Sequence, residues 1–110
     1  MEHVSFKVQG SEVDPYDVTF VKNGTSLTAK CTCRAGAARQ YCKHRFSILD
    51  GVTTGIVSGN GGDVDRVKSW LAGTELETVL QELAGAEAQV ELATKTLSAV
   101  KKKVARTMDS

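Results

Sequence analysis

The chain has 110 residues, of which 41% are hydrophobic and 25% are charged, and its formal net charge is +1. This length suits one domain, or one small domain with an appendage, and the composition excludes a disordered chain. No apolar run approaches the ~18 residues that a bilayer requires, and the N-terminal residues lack the basic start and apolar run of a signal peptide. We therefore expect an intracellular, cytoplasmic protein whose cysteines stay reduced.

The N-terminal part of the chain predicts antiparallel strands. Apolar and polar residues alternate over residues 4–8 and again over 16–20, which is the period of a half-buried strand. Asn23-Gly24 follows, and this pair favours a hairpin turn because both residues tolerate a positive φ. The alternation then continues along the returning strand and places Cys31 on the same face as Leu27.

All three cysteines and one of the two histidines lie close together, as Cys31-Thr32-Cys33, eight residues, then Cys42-Lys43-His44. Residues two apart in a strand point the same way, so the first two thiols leave the hairpin side by side. A small, flexible loop over residues 34–40 brings the chain back to a short helix that ends at Gly51. Three thiolates and one imidazole form a complete tetrahedral ligand set for one Zn²⁺ per chain. The alternative is that these are ordinary buried thiols and a surface histidine.

This spacing resembles the SWIM zinc finger, whose signature is CxCxnCxH, and the resemblance covers roughly residues 16–49. It implies that Cys31, Cys33, Cys42 and His44 are the zinc ligands. The SWIM family is associated with DNA binding and with protein–protein contacts. Arg34 and an alanine follow the second cysteine here, where members of the family often have a proline and an aromatic residue.

We expect the metal to be structural and the protein not to be an enzyme. A catalytic zinc keeps an open coordination position and needs a general base nearby. Four protein ligands close the shell, His3 is the only other histidine, and no carboxylate lies between Asp17 and Asp50. Binding of the metal should instead contribute to folding, on the order of 10 kcal/mol.

Basic residues surround the proposed ligands, with six cations and no anion over residues 22–45. An excess of this kind favours contact with nucleic acid, DNA above all, through backbone phosphates. The candidate contacts are Arg34, Arg39, Lys43, Arg45 and Lys30. A solvated face is the alternative, and some of these cations would also offset the negative charge of a Cys3His zinc site. Tyr41 is expected to shield the zinc, or to stack on a base.

The rest of the chain predicts a linker and two helices, which completes an α+β fold. Residues 52–73 are glycine-rich, with a short edge strand at 56–57 and a short helix that Asp63 caps. Thr74 and Glu77 match a capping box at the start of a long helix over 74–108. The zinc module then spans residues 1–51, with its core at 16–49. Apolar residues recur in heptads along the long helix and form a candidate dimerisation seam: Leu76, Val79, Leu83, Ala86, Val90, Ala93, Leu97, Val100 and Val104.

The charges of the long helix favour an antiparallel homodimer. Five acidic residues and no basic one lie between Glu75 and Glu91, and five basic residues and no acidic one lie between Lys95 and Arg106. Antiparallel pairing places these unlike halves together, whereas parallel pairing would set Glu82 against Glu87. The alternatives are an intramolecular packing helix, a four-helix arrangement that includes the shorter helix, and a basic end that contacts phosphate.

Two functional hypotheses follow from these patterns. In the first, a SWIM-type zinc protein binds nucleic acid at its zinc end and self-associates through its long helix, which joins two weak binding modules. In the second, the zinc stabilises a protein-interaction adaptor, the helix pairs with another protein, and no nucleic acid is bound.

Overall fold

The computed structural model describes residues 1–109 and has the α+β layout that the sequence predicts. Three antiparallel strands precede three short helices and one long helix. The strands are β1 (Glu2–Val8), β2 (Tyr16–Asn23) and β3 (Ser26–Cys31), and the helices are α1 (Arg34–Ala37), α2 (Lys43–Leu49), α3 (Asp63–Leu71) and α4 (Glu75–Met108).

The sheet has the order β1-β2-β3 and carries the core on one face. Phe6 and Phe20 are fully buried, and their rings meet edge to face with centroids 6.1 Å apart. Asn23 pairs with Ser26, so the predicted hairpin is present, but its two-residue loop is Gly24-Thr25. Only Gly24 in that loop takes a positive φ, 60°. The predicted asparagine therefore ends the strand rather than forming the turn.

Helices α2 and α3 complete the core. Their buried side chains are Ile48, Leu49, Val64, Val67 and Trp70. The helix α3 begins within one residue of its predicted start, but Gly62 occupies the N-cap, so Asp63 lies in the first turn instead. The predicted edge strand at 56–57 is reduced to one bridge between Val8 and Ile56.

The segment 34–40 is not the flexible loop that the sequence analysis expected, because residues 34–37 form α1. The thiol of Cys33 caps this helix by accepting a hydrogen bond from the backbone N–H of Gly36 at 3.3 Å. An N-cap acceptor and a short alanine-rich run favour a helical turn. Arg39 ends the turn with a positive φ of 60°.

The described chain divides into two compact units, Met1–Glu77 and the part that begins at Thr78. The second unit is α4 without its first turn, and no residue of α4 is buried. Thr74 caps α4 as predicted, since its Oγ1 accepts from the backbone N–H of Glu77 at 3.3 Å. The Glu77 carboxylate accepts from the N–H of Gly73 at 3.4 Å instead of from the N–H of Thr74, which bonds the Leu71 carbonyl, so only half of the capping box forms. No helix in residues 1–109 has the length and apolar character of a membrane span.

Candidate metal centre

The four predicted ligands converge on one point. Their donor atoms, three sulfurs and one imidazole nitrogen, all lie within 4.8 Å of one another. The Sγ atoms of Cys33 and Cys42 are 3.3 Å apart, and His44 Nδ1 lies 3.8 Å from Cys31 Sγ and 3.7 Å from Cys42 Sγ. A tetrahedron of sulfur ligands with metal–sulfur bonds of ~2.3 Å has edges of about 3.8 Å. The donor set and its spacing therefore suit one metal ion.

Each ligand stands at the end of a regular element. Cys31 is the last residue of β3, Cys33 is the N-cap of α1, Cys42 is the N-cap of α2, and His44 lies in the first turn of α2. The sequence correctly predicts that the first two thiols leave the hairpin together and that the second pair opens a helix. Because three element ends meet here, a metal ion held by the cluster would tie the sheet to both helices.

Burial and backbone hydrogen bonds prepare the sulfurs for a cation. Cys31, Cys33 and Cys42 are exposed by 5%, 6% and 1%. The backbone N–H of Cys33 points at Cys31 Sγ at 3.4 Å, and that of Gly36 points at Cys33 Sγ. Hydrogen bonds of this kind stabilise thiolates, whereas an unpaired buried thiolate would be costly.

The thiols differ in acidity without a metal. Burial is the largest influence on Cys31 and raises its pKa to about 12. Burial also opposes ionisation of Cys42, but hydrogen bonds from the Arg45 backbone and from Cys33, His44 and Cys31 outweigh it and lower the Cys42 pKa to about 6. Cys42 thus loses its proton more easily than Cys31, and a metal must displace protons to bind the full set.

Two glycines let neighbouring groups approach the ligands closely. A Cβ on Gly36 would lie 2.5 Å from the carbonyl oxygen of Cys31, so only glycine lets α1 pack on this ligand. A Cβ on Gly10 would lie 2.5 Å from the ring of Tyr16, whose centroid is 5.0 Å from that of His44. The sequence pattern does not identify Gly10, Gly36 or Tyr16 as site residues, because their role depends on contacts between elements.

Tyr41 does not lie over the metal ligands, contrary to the first expectation for it. Its ring is 64% exposed and stacks on Phe46, with centroids 4.2 Å apart and planes inclined by 19°. The aromatic ring beside His44 is that of Tyr16 instead. The backbone turn between α1 and α2 directs Tyr41 outward, and this direction is not visible in the residue pattern.

The five basic residues that are candidates for nucleic-acid contact do not all lie together. Lys30, Arg39 and Arg45 line one cavity of about 630 Å³, together with Cys31 and Thr32. Lys43 lines a different cavity of about 190 Å³, beside His44. Arg34 is exposed in α1. The structure thus brings three of the five candidates together.

These cations are not equivalent. The half-buried guanidinium of Arg45 donates to the carbonyl oxygens of Ala29 at 3.2 Å and Gln40 at 2.6 Å, which holds the segment before α2 against β3. Lys30 and Arg39 are exposed, and within residues 1–109 their side chains form no ion pair and no hydrogen bond. The acidic neighbour in the cavity, Asp17, is paired with Lys7 at 2.7 Å.

The candidate dimerisation residues also differ in their surroundings. Leu76 belongs to the first unit, where it lines an apolar cavity of about 350 Å³ with Phe46 and Leu49. The later valines and leucines of the seam are exposed, with Val90 at 67% and Leu97 at 56%. The remaining seam positions from Val79 onward lie on α4 without burial.

Comparison of the chain with protein-family models, curated proteins and solved structures finds no match in any of the three. What can be said of its function therefore depends on the geometry of this centre and of the surfaces around it.

Proposed function

We propose that the protein is a structural zinc protein of SWIM type that binds nucleic acid through its basic face and self-associates through α4. The observation that carries the proposal is the convergence of Cys31, Cys33, Cys42 and His44 within 4.8 Å. Soft thiolates and an imidazole favour zinc over magnesium or calcium. Zinc would be held by all four residues, and bound there it would link the sheet to α1 and α2.

A structural role suits this site better than a catalytic one. Four protein donors leave no coordination position for water or substrate. The three cysteines are almost fully buried, and Tyr16 packs against the histidine. The three thiolates would give the zinc-bound site a net charge of about −1, so cations nearby also stabilise it.

Nucleic-acid binding is supported by Lys30 and Arg39. An exposed cation that forms no ion pair within its own chain is available to a phosphate. The guanidinium of Arg45 is already bonded to the carbonyl oxygens of Ala29 and Gln40, whereas Lys30 and Arg39 have no such partner in the described part of the chain. Contacts of this type fix the backbone of the nucleic acid and carry no sequence information.

The test is fluorescence anisotropy of zinc-loaded protein with labelled DNA at several salt concentrations. For each phosphate contact, the logarithm of the binding constant should fall by ~0.9 when the salt concentration rises tenfold. Binding should vanish when zinc is chelated. Charge reversal at Arg34 and Arg39 should abolish it while zinc content stays at one per chain. Absence of binding at low salt by zinc-loaded protein would favour the adaptor hypothesis instead.

Self-association is supported by the exposed apolar face of α4. Most helical stability in proteins comes from packing of an apolar face, and no residue of α4 is buried. Half or more of the surface of Val90, Leu97 and Val100 is exposed. We infer that a second copy of this chain covers this face, because the acidic first half and basic second half of α4 complement each other only when two copies run antiparallel.

The heptads also determine the register. Leu83 lies at an a position of the heptad and Val100 at a d position. In an antiparallel pair each a residue faces a d residue of the second copy, and the two residue numbers add up to the same total in every layer. Leu83 then faces Val100 of the second copy, and Val90 faces Ala93, which is too small to fill its layer. A shallow groove of about 650 Å³ lies beside Ala93. The same register brings Glu82 to Lys103 and Glu87 to Lys101 of the second copy, each pair twice by symmetry.

A further inference from the structure

We propose that the nucleic acid recognised by this protein is single-stranded, with an unpaired base stacked on Tyr41 and a neighbouring phosphate in the cavity that Lys30 and Arg39 line. This inference rests on the proposed nucleic-acid binding and names its substrate class. It is carried by the exposed aromatic stack, by two adjoining cavities and by the backbone of Arg39.

Tyr41 and Phe46 form a platform suited to a base. Their rings are nearly parallel with centroids 4.2 Å apart, so Phe46 supports one face of Tyr41. The tyrosine nevertheless remains 64% exposed. A supported and exposed ring is fixed in orientation before binding, and aromatic rings of this kind stack on the faces of bases.

The platform adjoins the basic cavity. Tyr41 and Phe46 line the apolar cavity of about 350 Å³, and Lys30 and Arg39 line the basic cavity of about 630 Å³. Arg45 and Ala29 line both, so the two spaces share a wall. An apolar, aromatic space beside a cationic one matches the two parts of a nucleotide, its base and its phosphate.

Arg39 has a backbone conformation that favours a different residue. It follows the C-cap of α1 with a φ of 60°, the left-handed region in which glycine is the usual residue at this position. An arginine there strains the backbone, and its side chain makes no ion pair or hydrogen bond within the described residues that would offset the strain. The exposed guanidinium of Arg39 is therefore available to pair with a phosphate.

Stacking decides between single and double strands. In a duplex each base is covered on both faces by its neighbours, and only an unpaired base can place a face against a protein ring. Phosphate contacts alone would not distinguish the two forms. A protein that uses Tyr41 and the basic cavity together must therefore prefer a single strand, and the ribose or deoxyribose does not enter these contacts.

The experiment compares zinc-loaded full-length protein bound to labelled oligo-thymidine, to oligo-uridine and to duplex DNA of equal length. Wild-type protein should bind both single strands more tightly than the duplex. Tyr41→Ala should lower single-strand affinity about tenfold and leave duplex affinity unchanged, and Tyr41→Phe should retain the preference. Zinc content and near-UV circular dichroism establish that each variant is folded.

Arg39→Gly tests the cavity without loss of fold. It should raise the melting temperature, weaken binding several-fold and reduce the salt slope by about one. Lys68→Ala, which removes the same charge from α3, should leave binding unchanged. Equal affinity for duplex and single strands, or equal losses in the Arg39 and Lys68 variants, would overturn this inference while the proposed function stands. Failure of wild-type protein to bind any of the three ligands would instead overturn the proposed function.

Discussion

The two units of this chain stabilise their secondary structure in opposite ways. In Met1–Glu77 the sheet and helices bury their apolar faces against each other, and Phe6, Phe20 and Val67 are inaccessible to solvent. From Thr78 onward a single helix buries none of its valines and leucines. The first unit contains its own stabilising contacts and a candidate metal site, whereas we propose that a second copy of the chain stabilises the second unit.

Because the two units are stabilised differently, zinc and a second copy of the chain should act on separate parts of the protein. Zinc would join the ends of β3, α1 and α2, all within the first unit. A second copy would cover α4 and contact none of the ligands. Removal of zinc should therefore unfold the first unit and leave α4 unaffected, and loss of the second copy should affect α4 alone. The following experiments test this independence of the two units.

The largest effect is expected from Cys42→Ser, since Cys42 is 1% exposed and central to the cluster. A structural zinc contributes on the order of 10 kcal/mol, comparable with the whole stability of a small domain. Zinc content should fall to zero and the fluorescence of Trp70 should report unfolding of the first unit. Chelation of zinc from wild-type protein should give the same spectrum. A variant that stays folded without metal would show that zinc does not stabilise the first unit.

The next effect is expected from charge reversal on α4. Glu82→Lys with Glu87→Lys, or Lys101→Glu with Lys103→Glu, converts four attractive pairs in the antiparallel dimer into repulsive ones. At ~0.5 kcal/mol for each pair, the dimer should weaken by about 2 kcal/mol or more, roughly thirtyfold in its dissociation constant. Sedimentation equilibrium measures this change, and zinc content should not alter.

Mixing the glutamate-to-lysine variant with the lysine-to-glutamate variant, and separately with wild-type protein, determines whether the two α4 helices run antiparallel or parallel. In the antiparallel register, the lysines introduced at positions 82 and 87 of the first variant would meet the glutamates introduced at positions 103 and 101 of the second. The mixture should therefore form a heterodimer of wild-type strength, whereas the glutamate-to-lysine variant should pair weakly with wild-type protein, because two of the four charge pairs are then repulsive. In a parallel pair Glu82 would face Glu87, so this variant would bind wild-type protein as tightly as it binds the second variant. A wild-type protein that sediments as a monomer would show that another protein covers α4.

An intermediate effect is expected from Gly36→Ala, because the new Cβ would lie 2.5 Å from the Cys31 carbonyl oxygen and 2.7 Å from its Cβ. Overpacking of this kind costs about 1–3 kcal/mol, and zinc affinity should fall about tenfold or more. Competition with a chelator of known affinity measures the loss. Gly85→Ala is the matched control, since no atom lies within 4 Å of its added Cβ. Equal affinities in the two variants would exclude a role for this contact.

The smallest effect is expected from Thr74→Ala, which removes the N-cap of α4. Thr74 is 3% exposed, and its Oγ1 accepts from the N–H of Glu77. Loss of a cap costs about 1 kcal/mol, which denaturant titration of the full chain can resolve. Thr94→Ala removes a hydroxyl that bonds only the helix carbonyl of Val90, so its stability should be unchanged or slightly higher. Equal losses in both variants would show that Thr74 does not act as a cap.

Much of the fold and the ligand cluster could be predicted from sequence because both depend on local spacing. Alternation specifies the strands, and the two Cys-x-Cys/His pairs specify which residues meet. The α1 turn could not be predicted in this way, since its cap is a thiol, Cys33, that also points into the cluster. The outward direction of Tyr41 and the close approach of Gly36 to Cys31 depend on tertiary contacts, which no pattern of residue types records.

X-ray absorption at the zinc edge, measured after the protein is loaded with one equivalent of metal, identifies the ligands of the site directly. A site made of Cys31, Cys33, Cys42 and His44 predicts three sulfur neighbours at ~2.3 Å and one nitrogen at ~2.0 Å. The spectrum should be the same with and without nucleic acid, because a closed structural site does not exchange ligands. Fewer than three sulfur neighbours, or an oxygen ligand that changes on binding, would contradict the account.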